Sequence, residues 1–191
     1  MTTNTDKLRI ELYPTQTLKS KANAIELNDE VRAVAQRMIE LMNGARGIGL
    51  AAPQVGLSWR MFVAHVPADP DADEESAPPA TPDDLPDSCD GPEVYLNPVI
   101  TEFAGDLEPY DEGCLSLPGI TGEVNRPAIV TMEATDLEGN KVTRRATGLL
   151  ARCWQHEIDH LDGVLILDKM TQMSRLKNRS RIKSLEKAAK R

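Results

Sequence analysis

At 191 residues the chain is long enough for one domain with a substantial core and short for two large ones. Thirty acidic residues against twenty-two Lys and Arg give a formal net charge of −8, which argues against broad nucleic-acid binding. No apolar run of about 18 residues is present, and the start MTTNTDKLRIELYP lacks the charged-then-apolar order of a signal peptide, so a soluble cytoplasmic protein with no membrane partner is expected.

From Asn28, a candidate N-cap, Val31, Val34, Ala35, Met38, Leu41 and Met42 recur at helical spacing until Gly44, which predicts an amphipathic helix. ARGIGLAAPQVG follows, then a strand-like MFVAHV at 61–66. Residues 68–93 hold ten acids, six prolines and no Lys or Arg, a composition that cannot bury enough apolar surface to offset the entropy of ordering. They are expected to form an exposed, mobile insertion with Cys89 as an exposed free thiol. Its DPDADE start is no calcium loop, because Glu74 stands where glycine is needed and Ala80 where a bidentate glutamate is needed.

Val94 to Phe103 reads as extended and broken at Pro98, YDEGCLSLPG as non-repetitive, and AIVTMEAT with KVTRRAT as a hairpin around Leu137–Asn140. Leu149 to Leu161 returns to helix formers, and Asp162-Gly163 stops the helix before the apolar run Val164–Leu167. Residues 174–191 carry eight Lys/Arg against one acid, leaving −15 on the rest, and Ile182, Leu185 and Ala189 give them a narrow apolar stripe. Helices at both ends of a strand-rich middle predict an α+β fold: antiparallel strands around a central helix carrying HExxH, an N-terminal helix and a basic C-terminal helix.

That central helix contains QHEIDH, with His156 and His160 one turn apart and Glu157 between them. Imidazoles at i and i+4 can share one metal ion, while the glutamate handles protons of an activated water. Two polar core histidines beside a solvated edge would give the same pattern. The apolar neighbours Leu149, Leu150, Cys153, Trp154, Ile158 and Leu161 favour burial, and buried imidazoles need partners. A catalytic ion needs a third protein ligand. Downstream only Asp162, Asp168 and Glu186 offer one; upstream, Cys114 follows a glycine. The odd, widely spaced Cys89, Cys114 and Cys153 make a poor disulfide framework. His65 is expected in a strand with no role in the site.

GIGLAAPQ at 47–54, EGCLS at 112–116 and QHEIDH at 155–160 resemble, in order, the three signature motifs of the peptide deformylase family. The resemblance covers most of the chain outside the insertion and the tail. It implies a catalytic domain over 1–173, containing the 68–93 insertion, and a basic helical tail over 174–191. It implies that Cys114, His156 and His160 hold a divalent metal, ferrous iron being the family's usual physiological ion, with nickel, cobalt or zinc also suited to this donor set. Glu157 is then the general acid/base, and Gln54 with the backbone N–H of Leu115 stabilises the oxyanion. Ile48, Gly49, Tyr110, Gly113, Leu149 and Cys153 are expected to receive substrate, the formylmethionine of newly made proteins. Thr121 stands where some family members carry an arginine. Gly47, Gly49 and Ala52 also satisfy a relaxed dinucleotide pattern, but they follow a helix, and Pro53 falls where a phosphate-binding helix would propagate. The rival readings are a cytosolic HExxH endopeptidase and a metal-stabilised RNA-binding module. In some members of the family a C-terminal helix docks on the ribosome, which would give the basic tail a partner.

Overall fold

The computed structural model describes residues 3–68 and 85–189, so most of the expected insertion lies outside the described residues. The first helix, α1 (Asp29–Gly44), begins where Asn28 Oδ1 accepts the Val31 N–H at 2.9 Å, with Asp29 and Glu30 favourably placed in its first turn. Val31, Val34, Ala35, Met38 and Met42 are buried along one stripe, while Leu41 is only half-buried. The stripe packs on β1 (Gly49–Ala51) and β2 (Met61–Ala64), both buried throughout. His65 lies just past β2, and its N–H donates to Ile48 O at 2.8 Å.

One antiparallel sheet runs in the order β1-β2-β3-β4-β5, with β3 at Glu93–Gly113, β4 at Thr121–Thr135 and β5 at Lys141–Ala146. The β4–β5 hairpin is the one expected. Asp136 Oδ1 accepts the N–H groups of Glu138 and Asn140, and Gly139 takes the φ of +90° that the turn needs. Two expectations need correction. The strand at 94–103 runs on to Gly113, so Tyr110 to Gly113 are paired with Val124 to Thr121 rather than non-repetitive. Its shifts of register at Leu96/Val99, Ile100/Glu102 and Ala104/Leu107, beside Pro98 and Gly105, break the two-residue alternation that would have announced it.

The second correction concerns residues 85–93, which sit against the body. Pro86 O and Asp87 O accept from Thr147 and Leu150 N–H, and Cys89 N–H reaches Val66 O at 2.7 Å. Cys89 is therefore half-buried against the core, and its Sγ accepts the Val66 N–H at 3.2 Å. Helix α2 (Gly148–Leu161) crosses the sheet with Leu150, Ala151, Cys153, Trp154, Ile158 and Leu161 in the core. After the short α3 (Ile166–Lys169), helix α4 (Gln172–Ala188) lies on the body through half-buried Ile182 and Leu185. Arg181 donates to Gly119 O, Asn178 to Thr121 O at 2.7 Å, and Tyr13 Oη to Glu186 at 2.9 Å. No helix among the described residues is long and apolar enough to cross a membrane.

Candidate metal centre and catalytic cleft

Helix α2 sets His156 and His160 on one face, their ring centroids 4.9 Å apart at 73°. The end of β3 delivers Cys114 to the same point, with Sγ 3.2 Å from His160 Nε2. Ligand atoms of Cys114, His156 and His160 all lie within 4.8 Å of one another, close enough for small rotations to bring them onto one ion with bonds of about 2.0–2.3 Å. His160 Nδ1 is buried without a partner among the described residues. A thiol and two imidazoles fit a borderline-soft divalent ion. The downstream carboxylates are engaged elsewhere: Asp162 pairs with Arg60 at 2.8 Å, Asp168 caps Leu165 N–H at 3.1 Å, and Glu186 takes the Tyr13 hydroxyl.

Behind the ligands stands a polar network that sequence reasoning missed. Glu112 Oε2 meets His156 Nδ1 at 3.1 Å, the arrangement that fixes an imidazole and leaves its other nitrogen for a metal. Buried Arg126 grips Glu112 through two bonds of 2.6 and 2.9 Å and reaches Asp159 at 2.8 Å; Arg152 adds a third bond to Glu112 at 2.9 Å. Burial alone would raise the Glu112 pKa, but Arg126 and His156 outweigh it and hold the carboxyl well below its ordinary range. The signal available was the acid inside EGCLS itself; Arg126 and Arg152 had none, since their partners lie 14 and 40 residues away.

Glu157 is 3 % exposed, and burial pushes its pKa up to about 7 against the lowering influence of His156 and Arg126. Its Oε2 has no partner among the described residues. Burial also lowers His160, with the charges of His156 and Arg126 adding to it. For His156 burial acts downward too, but hydrogen bonds to Cys114 and Glu112 win and push it up. Gln54, on the turn Ala52–Val55, is held from behind: its Oε1 accepts the Ala51 N–H at 2.8 Å. Its amide NH₂ is thereby turned toward Ser116 Oγ at 3.3 Å and Cys114 Sγ at 3.6 Å. Gly49 lies so close to the Glu157 carboxylate and Cys153 Sγ that a Cβ there would clash with both.

These residues share one cleft of about 540 Å³, walled by Ile48, Gly49, Gln54, Tyr110, Gly113, Cys114, Leu115, Leu149, Cys153, His156 and Glu157. His160 sits beneath it, 1 % exposed. The metal-ligand, catalytic and substrate residues expected from the resemblance are thus brought to one place. Tyr110 and Leu149 are 53 % and 38 % exposed at its rim, and Arg152 stacks its guanidinium 5.2 Å from the Tyr110 ring. Arg46, Leu117, Ile120 and Thr121 line it as well.

Comparison with known proteins bears on the family and the fold. The polypeptide deformylase family profile matches residues 7–176. A peptide deformylase 2 from Gloeobacter violaceus is 51 % identical over 144 residues, covering 75 % of this chain and 68 % of the relative. A peptide deformylase from Thermodesulfovibrio yellowstonii is 40 % identical over 93 % of this chain and 97 % of its own. The crystal structure of peptide deformylase from Ehrlichia chaffeensis superposes with a TM-score of 0.83 at 31 % identity, covering 96 % of this chain and 97 % of that one. That of the Synechococcus elongatus enzyme, in complex with actinonin, does so with 0.76 at 35 % identity over 92 % and 86 %. Matched along 170 consecutive positions by the family profile and along most of its length by these relatives, the chain belongs to the polypeptide deformylase family.

Proposed function

We propose that the protein is a metal-dependent hydrolase that removes the formyl group from the N-terminal formylmethionine of newly made proteins, releasing formate. The observation that carries this is the convergence of Cys114, His156 and His160 beside a buried Glu157 carboxylate whose Oε2 has no partner among the described residues, in an open cleft. In this reading residues 1–173 are the catalytic unit and α4 a basic appendage. A divalent ion held by the three ligands, ferrous iron in this reading, supplies Lewis acidity toward the formyl oxygen and makes a water acidic near neutral pH.

Glu157 takes the proton of the attacking water and later gives it to the departing amine, a double duty suited to a carboxylate raised toward neutrality. Gln54, its amide locked by Ala51, donates to the oxygen that becomes negative, together with the Leu115 N–H. Glu112, clamped by Arg126 and Arg152, keeps the His156 ring in place. Ile48, Gly49, Cys153 and Leu149 offer an apolar wall to the methionine side chain, while Tyr110 and Gly113 border the peptide main chain.

Formate release from formyl-Met-Ala-Ser, blocked by actinonin, is the expected result; cleavage inside an unblocked peptide without formate would make the chain an endopeptidase instead. For its partner beyond the substrate, this reading gives α4 a contact with the ribosome in the cytoplasm. Arg175, Arg179 and Lys183 border a second cavity of about 730 Å³ between that helix and Tyr13, Lys19 and Leu165. Truncation after Met173 should abolish salt-sensitive co-sedimentation with ribosomes and spare the tripeptide rate. Undiminished binding would remove the helix from that role.

A further inference from the structure

Strand β2 covers β3 only from Glu93 to Leu96, and β4 covers the opposite edge from Leu96 to Gly113. From Val99 to Gly113 the other edge of β3 faces no strand among the described residues. Of its main-chain groups outside the β4 ladder, only the Glu108 carbonyl has a partner among the described residues, Arg152 at 2.8 Å. An exposed edge of this length presents unpaired N–H and C=O groups to which another chain can pair. This one carries exposed Val99, Phe103, Leu107 and Tyr110 at 50, 59, 66 and 53 %, and its acids Glu102, Asp106, Glu108 and Asp111 have no Lys or Arg anywhere in β3.

The edge runs directly into the cleft, whose wall includes Tyr110 to Gly113. Strand β1 is antiparallel to β2, and β2 to β3, so β1 and β3 point the same way. Both point at the candidate metal centre, since Gln54 follows β1 and Cys114 follows β3. A peptide whose first residue sits at that centre therefore leaves antiparallel to both strands. The β1 side gives out after Gly47 and Arg46, whereas β3 continues outward.

We infer that the unpaired edge of β3, from Tyr110 back to Val99, is an extended binding strip that takes the substrate chain beyond its first residues as an added antiparallel strand. The inference rests on the deformylase reading above. Main-chain hydrogen bonds supply sequence-tolerant affinity, which suits an enzyme facing every nascent chain. Ten residues at about 3.3 Å each span roughly 33 Å, as far as Phe103 counted back from Gly113. The acids favour cationic side chains along that length. Phe103 and Tyr110, opposite inward-facing Val130 and Val124, stand on one face of the ribbon, and Leu107, opposite Pro127, on the other.

The test compares metal-replete full-length enzyme on formyl-Met-Ala-Ser with formylated decapeptides beginning Met-Ala-Ser and continuing with Thr alternating with either Lys or Glu. The lysine decapeptide should show kcat/KM on the order of ten-fold above the tripeptide, carried by KM, as one or two net hydrogen bonds would give. N-methylation of alternate amides from the fifth residue onward should return it to the tripeptide value. The exposed pair Glu102→Lys with Asp106→Lys should erase the preference for lysine over glutamate and leave the tripeptide rate unchanged. Equal kcat/KM for tripeptide and lysine decapeptide, or a gain indifferent to N-methylation, would overturn the strip. Failure to turn over the tripeptide at all would instead overturn the deformylase reading.

Discussion

Replacing Gly49 by alanine tests how tightly the cleft constrains Glu157. The added methyl carbon would stand 2.8 Å from Glu157 Cδ and 2.9 Å from Cys153 Sγ. Carbon atoms at rest sit about 3.5–4.0 Å apart, so the carboxylate or the β1 backbone must give way by about 1 Å. Neither has an easy escape, since Leu50, Ala51 and Ala52 are fully buried and Glu157 nearly so. A displacement of about 1 Å at a reacting group costs on the order of 10²-fold, or about 2.7 kcal/mol of transition-state stabilisation. Overpacking of this kind also costs about 1–3 kcal/mol of folding stability, visible as a lower Tm. Formate release on the tripeptide, with metal content measured on the same sample, reads the kinetic effect. Cys153→Ala in the Gly49→Ala background removes one of the two clashes and should recover part of the rate. Wild-type kcat/KM in a folded, metal-replete Gly49→Ala protein would refute the proposed role of this close approach.

The other expectations concern the network around that carboxylate. Glu157→Gln should keep its metal and lose turnover by about 10²–10⁴-fold, since the amide preserves shape and cannot accept the proton; normal turnover would remove Glu157 from the chemistry. Cys114→Ser should lose metal on dialysis, whereas Cys89→Ser should keep metal and rate while lowering Tm slightly, because that thiol is packed against the core. The reverse pattern in elemental analysis would sink the ligand assignment. Glu112→Gln leaves Arg126 and Arg152 buried without their shared carboxylate, and should cost about 3–5 kcal/mol in denaturant unfolding together with metal affinity. Its folded pKa lies below the ordinary carboxylate value of 4.5, so its contribution is complete above pH 4.5 and is lost as pH falls through the lower folded value. Acid titration of wild type and Glu112→Gln should therefore converge, and parallel curves would show that the ion pairs contribute nothing.

Local pattern carried much of this protein. The 3.6-residue recurrence from Val31 to Met42 is enough to predict α1, and the four-residue step from His156 to His160 is enough to put two imidazoles on one face of α2, because both depend only on helix geometry. The β4–β5 hairpin was likewise legible, its turn being closed by Asp136 four residues from Asn140. The long β3–β4 ribbon was not, because its register shifts break the alternation and most of its β3 side chains face solvent. Nor could composition say that Cys89 and its neighbours dock on the body, since the acids and prolines that suggested a free loop say nothing of bonds to Val66, Thr147 and Leu150. Which carboxylate orients His156 and why Gly49 admits no side chain are matters of atoms brought within about 3 Å from segments 44 and 108 residues apart. Those distances follow from packing α2 across the sheet, a long-range event with no periodic trace in the chain.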